Sequence, residues 1–186
     1  MLLSVEDLDV SFRSEEGDVV RAAVDVNLTL DRGEVLGVVG ESGSGKSSVA
    51  MSVARLLPSP PAFWPKGRIL LDGTDTLTMP LAELRRLRGR KIGVVFQDPM
   101  GSLSPLHRIA DQLTETVLLH EDVSRRAAHE RALDWLGRVG IPDPAARARA
   151  YPYELSGGMQ QRVMIAMALM LDPDLQIGRA SCRERV

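Results

Sequence analysis

Cysteine, asparagine and long apolar runs are scarce in this sequence, and each shortage excludes a class of protein. Cys182 is the only cysteine among the 186 residues, so the chain can form neither an internal disulfide framework nor a cysteine metal site. No apolar run approaches the roughly 20 residues that cross a bilayer. Residues 1–7 lack the basic region and the apolar run of a signal peptide. We therefore expect a cytoplasmic protein that reaches any membrane through a partner.

Charge and asparagine content exclude two further classes. The chain carries 23 basic and 25 acidic residues, a formal net charge of −2, which argues against a broad nucleic-acid-binding face. The base-reading NKxD motif of GTPases needs an asparagine, and Asn27 is the only one, so a GTPase is excluded. Hydrophobic residues make up 44% of the chain, which is enough for a packed core.

A glycine-rich segment at residues 40–47 is the strongest motif present. Its sequence, GESGSGKS, matches G-x-x-x-x-G-K-[ST] at every fixed position, the pattern of a phosphate-binding loop. The Val-rich residues 34–39 predict a buried strand before it, and residues 48–55 predict a helix after it. Because glycine lets the backbone turn its N–H groups inward, the loop and the helix start can bind phosphates. We expect Lys46 to reach the β- and γ-phosphates and the Ser47 hydroxyl to bind Mg²⁺.

The first part of the chain predicts an antiparallel sheet. Residues 3–12 alternate as a strand with an irregularity near Asp7. Residues 19–30 continue as a strand whose apolar face is Val24, Val26, Leu28 and Leu30. Prolines within residues 57–65 end the first helix, and residues 68–73 predict a short strand and turn.

The second part of the chain is predicted to be mostly helical. A short helix at 80–88 begins with proline and precedes a buried strand at 91–96 and a loop at 97–106. Residues 145–150 predict a further short turn of helix. Elsewhere apolar residues recur at helical spacing in three groups: Ile109, Leu113 and Val117; Ala128, Ala132, Trp135, Leu136 and Val139; and Met159, Val163, Ala166, Met167 and Met170.

Two later motifs carry a family resemblance. Residues 155–162, LSGGMQQR, resemble the LSGGQ signature of ABC-type ATPases, and Gln97 after its buried strand resembles the Q-loop of that family. Residues 96–106 resemble the dipeptide and oligopeptide importer branch. In that branch the segment usually has Thr and Asn where this chain has Gly101 and Ser104.

The resemblance covers residues 2–175 and implies an α/β fold. This fold is a P-loop NTPase core with an N-terminal antiparallel β subdomain and an α-helical subdomain that carries the signature. The antiparallel β part would be residues 1–33, the P-loop core to the Q-loop residues 34–106, and the helical subdomain residues 107–170. Residues 176–186 would be a tail outside the family.

The resemblance implies ATP and Mg²⁺ as ligands. Lys46 and Gln97 are the expected catalytic residues, and Ser47 and Gln97 are the expected Mg²⁺ contacts. Phe12 would stack on adenine, and a core aromatic is the alternative role for the same side chain. The expected ATP-binding residues are Phe12, Gly40, Ser42, Gly43, Ser44, Gly45, Lys46, Ser47 and Ser48.

The signature segment has a physical reading of its own. Ser156 is a good helix N-cap, and Gly157 and Gly158 leave amides unobstructed at a helix start. Alone, the segment would be an ordinary helix cap. In the resembling family this helix end faces the ATP held by the other protomer, which implies a head-to-tail dimer with a second ABC ATPase subunit, identical or different. The expected residues are Ser156, Gly157, Gly158 and Gln160.

The resemblance also implies membrane partners. The chain would be a peripheral ATP-hydrolysing subunit at the cytoplasmic face of the inner or plasma membrane, bound to transmembrane permease subunits. Met100 and Leu103, beyond the Q-loop, would contact those subunits. The cargo would be di- or oligopeptides, or nickel, and no nucleic-acid partner is expected.

The resemblance ends at Leu175, where the family continues into its Walker B strand. Residues 176–186 are polar, carry three arginines and one glutamate, and lack a buried-strand pattern. We therefore expect the Walker B Asp and Glu and the switch His to be missing, and hydrolysis by this chain to be negligible. A nucleotide-binding fragment without turnover and a soluble ABC ATPase without a transporter are the alternative functions.

Overall fold

Two sheets and seven helices are found in the computed structural model, which describes residues 1–96 and 98–178. The chain divides into two units, Met1–Arg85 and a second that begins at Arg86. The first unit contains a four-stranded antiparallel sheet of order β2-β1-β3-β4. These strands are β1 (Leu3–Arg13), β2 (Val19–Leu30), β3 (Ala62–Leu71) and β4 (Thr74–Asp75).

The central strand β1 is confirmed, but burial alternates along only part of it, because Ser4 and Ser11 are buried as well. Val5, Leu8 and Val10 are buried, because alternate side chains of a strand point to one face of its sheet. Asp7 adopts a φ of 49°, and the register with β2 shifts between Val5 and Leu8. The predicted irregularity near Asp7 is therefore a β-bulge.

The strand β2 is confirmed, but its predicted apolar face is partly wrong. Val26, Leu28 and Leu30 are half-buried, whereas Val24 is 48% exposed. Asp25 between Val24 and Val26 adopts a φ of 52°. Asp25 interrupts the alternation of side chains along β2. Val24 and Val26 therefore do not lie on the same face of the sheet.

The carboxylate of Asp9 holds this bulge in place. It accepts a hydrogen bond from the Asp25 amide at 2.8 Å and another from Arg21 Nη2 at 3.3 Å. The Asp25 hydrogen bond, aided by the Arg21 charge, lowers the pKa of Asp9 below its ordinary value. The ionised carboxylate therefore favours the folded bulge, and this contribution is lost as pH falls through the lowered pKa.

The strand β3 begins six residues before the predicted strand at 68–73 and contains Pro65. Proline cannot donate to a ladder and is tolerated where pairing is interrupted. The β1–β3 register shifts between Asp9 and Ser11, whose partners are Lys66 and Phe63, so Pro65 falls at that irregularity. The antiparallel sheet thus draws strands from both sides of the glycine-rich segment.

The predicted buried strand at 34–39 is wrong. These residues have no regular secondary structure, and Val35 and Val39 are 94% and 92% exposed. Strand stability depends on a hydrogen-bonded neighbour, and none of the strands within the described residues pairs with this segment. A Val-rich composition alone is therefore not sufficient to form a strand.

The helix that follows this segment, α1 (Lys46–Val53), is confirmed and contacts β1 and β2.

The second unit is helical around a small parallel sheet. Five of its helices and strands after α2 (Leu81–Leu87) confirm the predicted type: β5 (Ile92–Val95), α4 (Ile109–Leu118), α5 (Arg125–Arg138), α6 (Pro144–Ala148) and α7 (Gly157–Leu169). A 3-10 turn at Pro152–Glu154, which was not predicted, precedes α7. The predicted loop at 97–106 contains one turn of helix, α3 (Pro99–Ser102). None of the helices in the described ranges is long and apolar enough to cross a membrane.

A strand at the end of the described chain contradicts one expectation. β6 (Leu175–Gly178) pairs in parallel with β5, with Ile92 opposite Leu175 and Val95 opposite Gly178. Residues 176–186 were expected to lack a strand pattern, which is wrong for residues 176–178. Within β6 only Leu175 and Ile177 are apolar, and they alternate with less apolar residues. This stretch is too short for hydrophobic periodicity to predict a strand.

The helices of the second unit share one core. Ile109, Leu113 and Val117 of α4 are fully buried, as are Ala128, Ala132 and Leu136 of α5. Both faces were predicted from spacing, and they pack with Val163 and Ala166 of α7 in one hydrophobic cluster. Trp135 and Val139 lie at its margin, partly buried.

The helix α5 begins after an N-cap residue, Ser124. The Ser124 hydroxyl accepts a hydrogen bond from the Ala127 amide at 3.2 Å, as is typical of an N-cap.

This packing generates a stability prediction. Leu113→Ala removes a fully buried side chain and should lower the free energy of unfolding by about 2–5 kcal/mol. Leu106→Ala, at a position 82% exposed, is the matched control and should change it by less than about 0.5 kcal/mol. Urea unfolding followed by tryptophan fluorescence measures both. Equal losses for the two variants would contradict the assignment of this core.

Candidate phosphate-binding site

The glycine-rich segment forms a tight turn directly before α1. Gly43 and Gly45 have φ values of 82° and 85°, a left-handed conformation that non-glycine residues adopt at a cost. Gly45 is also the N-cap of α1. A Cβ at Gly45 would lie 2.1 Å from the carbonyl oxygen of Ala22 in β2. Gly45 is therefore required both for its conformation and for the close approach of the two backbones.

The ammonium group of Lys46 lies inside this turn. Nζ donates hydrogen bonds to the carbonyl oxygens of Gly40 at 2.8 Å and Glu41 at 2.5 Å, and to Ser44 Oγ at 3.1 Å. An ammonium group has three donors, so these contacts hold it at one point of the loop. The positive charge is thereby placed inside the turn, next to the start of α1.

The first turn of α1 adds an electrostatic contribution. The first N–H groups of a helix have no partner within it, and the helix dipole places partial positive charge there. Gly45 provides no side-chain cap for these groups. Ser47 and Ser48 lie in this first turn and are half-buried. The arrangement of amides, lysine and hydroxyls suits an anion of the size of a phosphate group.

The predicted adenine partner lies on the sheet of the same unit. Phe12 is opposite Val20 of β2 and Ala62 of β3. Its side chain is half-buried, so it is not a fully enclosed core aromatic. Stacking of Phe12 on adenine stays a prediction.

The signature segment begins α7 in the second unit. Ser156 Oγ accepts a hydrogen bond from the Met159 amide at 3.4 Å, the predicted N-cap geometry. Gly157 and Gly158 are exposed, and a Cβ at either one would meet no atom within 4 Å. The helix start is therefore open to solvent, and its amides are sterically accessible.

The structure places Gln160 away from this open surface. Its side chain is 5% exposed, and Nε2 donates to the carbonyl oxygens of Pro152 at 2.8 Å and Leu155 at 3.2 Å. Gln160 was expected to face a partner across a dimer together with Ser156 and the two glycines. Its observed contacts instead make it a positioning residue that ties the segment before α7 to the helix. Composition could not show this, because glutamine is usually exposed.

A second contact set before α7 was missed by sequence reasoning. Glu154 Oε2 accepts a hydrogen bond from the Tyr151 amide at 2.7 Å. The rings of Tyr151 and Tyr153 stack with their centroids 5.5 Å apart, and the Arg108 guanidinium lies 5.6 Å from the Tyr151 ring centroid. The Tyr-Pro-Tyr-Glu sequence is the signal that could have indicated a rigid turn here. These contacts orient the chain as it enters the signature segment.

Two predicted site residues have different outcomes. Gln97, the expected Q-loop residue, lies outside the described residues. Leu103, expected on the surface that contacts membrane subunits, is 2% exposed and belongs to the core of the second unit. That expectation for Leu103 is wrong, since its buried side chain is already in contact with the core.

Comparisons with known proteins agree with these motifs. The family described as ABC transporter matches residues 23–178. The chain is 47% identical over 176 residues to the oligopeptide transport ATP-binding protein OppD of Bacillus subtilis, covering 95% of this chain and 49% of that protein. It is 51% identical over 177 residues to the peptidoglycan transport ATP-binding protein YejF of Agrobacterium fabrum, covering 95% of this chain and 32% of that protein. The chain thus spans between a third and a half of the length of these relatives.

Solved structures show the same fold. The dimeric structure of MJ0796, a bacterial ABC transporter cassette, has a TM-score of 0.83 and 28% identity, covering 95% of this chain and 73% of that chain. A post-hydrolysis dimer of MJ0796 bound to ADP and Pi has a TM-score of 0.82 and 28% identity, with the same coverage. The predicted α/β fold is therefore confirmed.

The two glycines of the turn form a matched pair of test positions. Gly45→Ala meets both a left-handed φ and the Ala22 carbonyl oxygen, whereas Gly43→Ala meets only the φ, with no atom within 4 Å. We expect Gly45→Ala to lower the free energy of unfolding by at least about 1 kcal/mol more than Gly43→Ala does. Urea unfolding of the two variants measures the difference. Equal destabilisation would show that Gly45 does not pack against β2 as described.

Proposed function

Because the chain belongs to the ABC transporter family, we propose that it is the ATP-binding part of an ATP-hydrolysing subunit of a bacterial peptide importer. The observation that carries this proposal is the position of the Lys46 ammonium group. It lies inside a glycine turn at the start of α1, within 2.8 Å of the Gly40 carbonyl oxygen. The names of relatives that transport oligopeptides support the cargo class.

The triphosphate of ATP would bind at this turn. Its oxygens would accept hydrogen bonds from the loop amides and from Lys46, which would exchange its contacts with the carbonyl oxygens of residues 40 and 41 for contacts with phosphate. The ammonium group would gain Coulomb attraction in this exchange, because phosphate oxygens carry negative charge whereas carbonyl oxygens are neutral. Phe12 would stack on the adenine ring.

Magnesium would accompany the nucleotide. Mg²⁺ prefers oxygen ligands and is usually held by few protein groups together with phosphates and water. The Ser47 hydroxyl, in the first turn of α1, is the protein oxygen that fits this role. Within residues 1–96 and 98–178 no group of three or more His, Cys, Asp or Glu could hold a metal ion, so the phosphates would supply much of the coordination.

The open start of α7 would complete the ATP site of a second cassette. Ser156, Gly157 and Gly158 present accessible amides at a helix N-terminus, which favours a phosphate oxygen. In a head-to-tail dimer, each glycine turn would face the signature segment of the other protomer. The dimeric structure of the MJ0796 cassette supports assembly as a dimer.

ATP binding would close the dimer, and hydrolysis would reopen it. This motion would be passed to transmembrane permease subunits, with the chain bound peripherally at the cytoplasmic face of the membrane. Of the predicted coupling segment, Pro105 and Leu106 are exposed, whereas Leu103 is buried. We therefore assign the contact with the membrane subunits to the exposed end of that segment.

Replacement of Lys46 tests the nucleotide site. Lys46→Ala removes the charge that faces the β- and γ-phosphates and should weaken ATP binding by at least about tenfold, or about 1.4 kcal/mol. Lys66→Ala is the control, since this exposed lysine lies on β3 near Asp25 and removes the same charge from the same unit. Titration calorimetry with ATP measures both affinities. An affinity unchanged by Lys46→Ala, or a clear preference for GTP, would overturn the proposal.

Replacement of Leu106 tests the membrane contact in a complete subunit. Leu106→Glu places a charge on a side chain that is 82% exposed and should reduce co-purification with the membrane subunits while ATP affinity stays the same. Leu81→Glu, at a position 47% exposed in α2, is the matched control. Equal recovery of membrane subunits with both variants would place the contact elsewhere.

A further inference from the structure

A basic segment without a role in the proposed function precedes β5. Between residues 85 and 91, five of seven residues are arginine or lysine: Arg85, Arg86, Arg88, Arg90 and Lys91. The whole chain has a formal net charge of −2. The local excess of positive charge is therefore a property of this segment and not of the chain.

Part of this segment lines a pocket in the second unit. The pocket has a volume of about 510 Å³, within the range of about 300–1,000 Å³ that is typical of small-molecule sites. It lies between the end of α2, the turn before β5 and the end of α4. Its lining contains no carboxylate and consists of Arg86, Leu87, Arg90, Lys91, Leu119 and His120.

The two arginines of the lining are not used elsewhere. Within the described part of the chain, the side chain of neither Arg86 nor Arg90 has a hydrogen bond or an ion pair. Lys91 differs, because its Nζ donates to Asp174 Oδ2 at 2.5 Å. The guanidinium groups of Arg86 and Arg90 can therefore turn toward a bound anion without breaking an existing contact.

One wall of the pocket is held by close packing. Gly89 adopts a φ of 83°, and a Cβ at that position would lie 2.8 Å from His120 Nε2. Any larger residue would displace the imidazole. The left-handed glycine thus lets the turn between the two arginines pack directly on the end of α4.

Among the lining residues, no carboxylate offsets the charges of the two arginines. Asp174 offsets Lys91, and the C-terminal ends of α2 and α4 carry at most about half a negative charge each. The two arginine charges exceed this sum. Guanidinium groups also match the geometry of phosphate oxygens and form two parallel hydrogen bonds with them.

We propose that this pocket binds a phosphate-bearing small ligand at a site separate from the glycine turn. Arg86 and Arg90 contact the phosphate oxygens. Leu87 and Leu119 contact an apolar part of the same ligand, and Leu119 is 73% exposed without it. Two sources share this chemistry, a free phosphorylated metabolite and the phosphate headgroup of an anionic lipid.

The experiment measures phosphate binding by the full chain with the glycine turn weakened. Inorganic tripolyphosphate is titrated by calorimetry into Lys46→Ala protein and into the same protein carrying Arg86→Ala and Arg90→Ala. The matched control carries Arg85→Ala and Arg149→Ala, two exposed arginines outside the pocket lining that remove the same charge. Circular dichroism checks that all variants are folded.

We expect the pocket variant to bind tripolyphosphate at least about 30-fold more weakly, because each charge-assisted hydrogen bond to phosphate is strong. The control should weaken binding by less than about threefold, the effect of general screening of exposed charges. Equal weakening by pocket and control variants would overturn the proposal. So would the absence of tripolyphosphate binding to the Lys46→Ala protein together with equal vesicle binding by all variants.

The second arm distinguishes the two ligand sources. Sedimentation with phosphatidylglycerol vesicles, with phosphatidylcholine vesicles as reference, is measured for the same variants. Loss of vesicle binding in the pocket variant alone supports a lipid headgroup. Loss of tripolyphosphate binding without a change in vesicle binding supports a free metabolite. Because Lys46→Ala is present throughout, failure of this proposal is independent of the test of the ATP site.

Discussion

The close approach of Gly45 to β2 is the constraint on which the glycine turn depends. The Ala22 carbonyl oxygen leaves no room for a side chain at Gly45, and the left-handed φ of 85° reverses the chain into α1. Both conditions place the start of α1 beside the Lys46 ammonium group. The turn is therefore positioned by the antiparallel sheet, although the strand predicted to lead into it is absent.

The first amide groups of α1 and α7 are capped differently. In α7, Ser156 satisfies the amide of Met159 with its own hydroxyl, and the buried Gln160 ties the preceding turn to the helix. In α1, the N-cap residue Gly45 has no side chain that could cap the first amides. The start of α1 thus lacks the serine cap found in α7, whose glycines lie at an exposed surface.

Charge in this protein is organised locally. A chain with a formal net charge of −2 has one lysine inside the glycine turn and two unpaired arginines in a pocket of the second unit. Several other arginines contact carboxylates, aromatic rings or backbone carbonyl oxygens, as Arg131 does with Glu121, Arg138 with Trp135 and Arg162 with Gly140. Total charge therefore argues against a broad nucleic-acid face but does not reveal where cations gather locally, because that depends on the folded chain.

The sequence by itself determined the features that depend on near neighbours along the chain. These are the glycine turn, the buried faces of α4 and α5, the bulge at Asp7 and the cap at Ser156, since spacing and residue type settle them locally. Only the tertiary structure decided the rest. The exposure of Val35, the burial of Gln160 and Leu103, and the pairing of β6 with β5 depend on partners that are distant in sequence. The residue pattern within one segment does not show which distant segments pack against it. The exposure, burial and strand pairing of these residues could therefore be determined only from the folded chain.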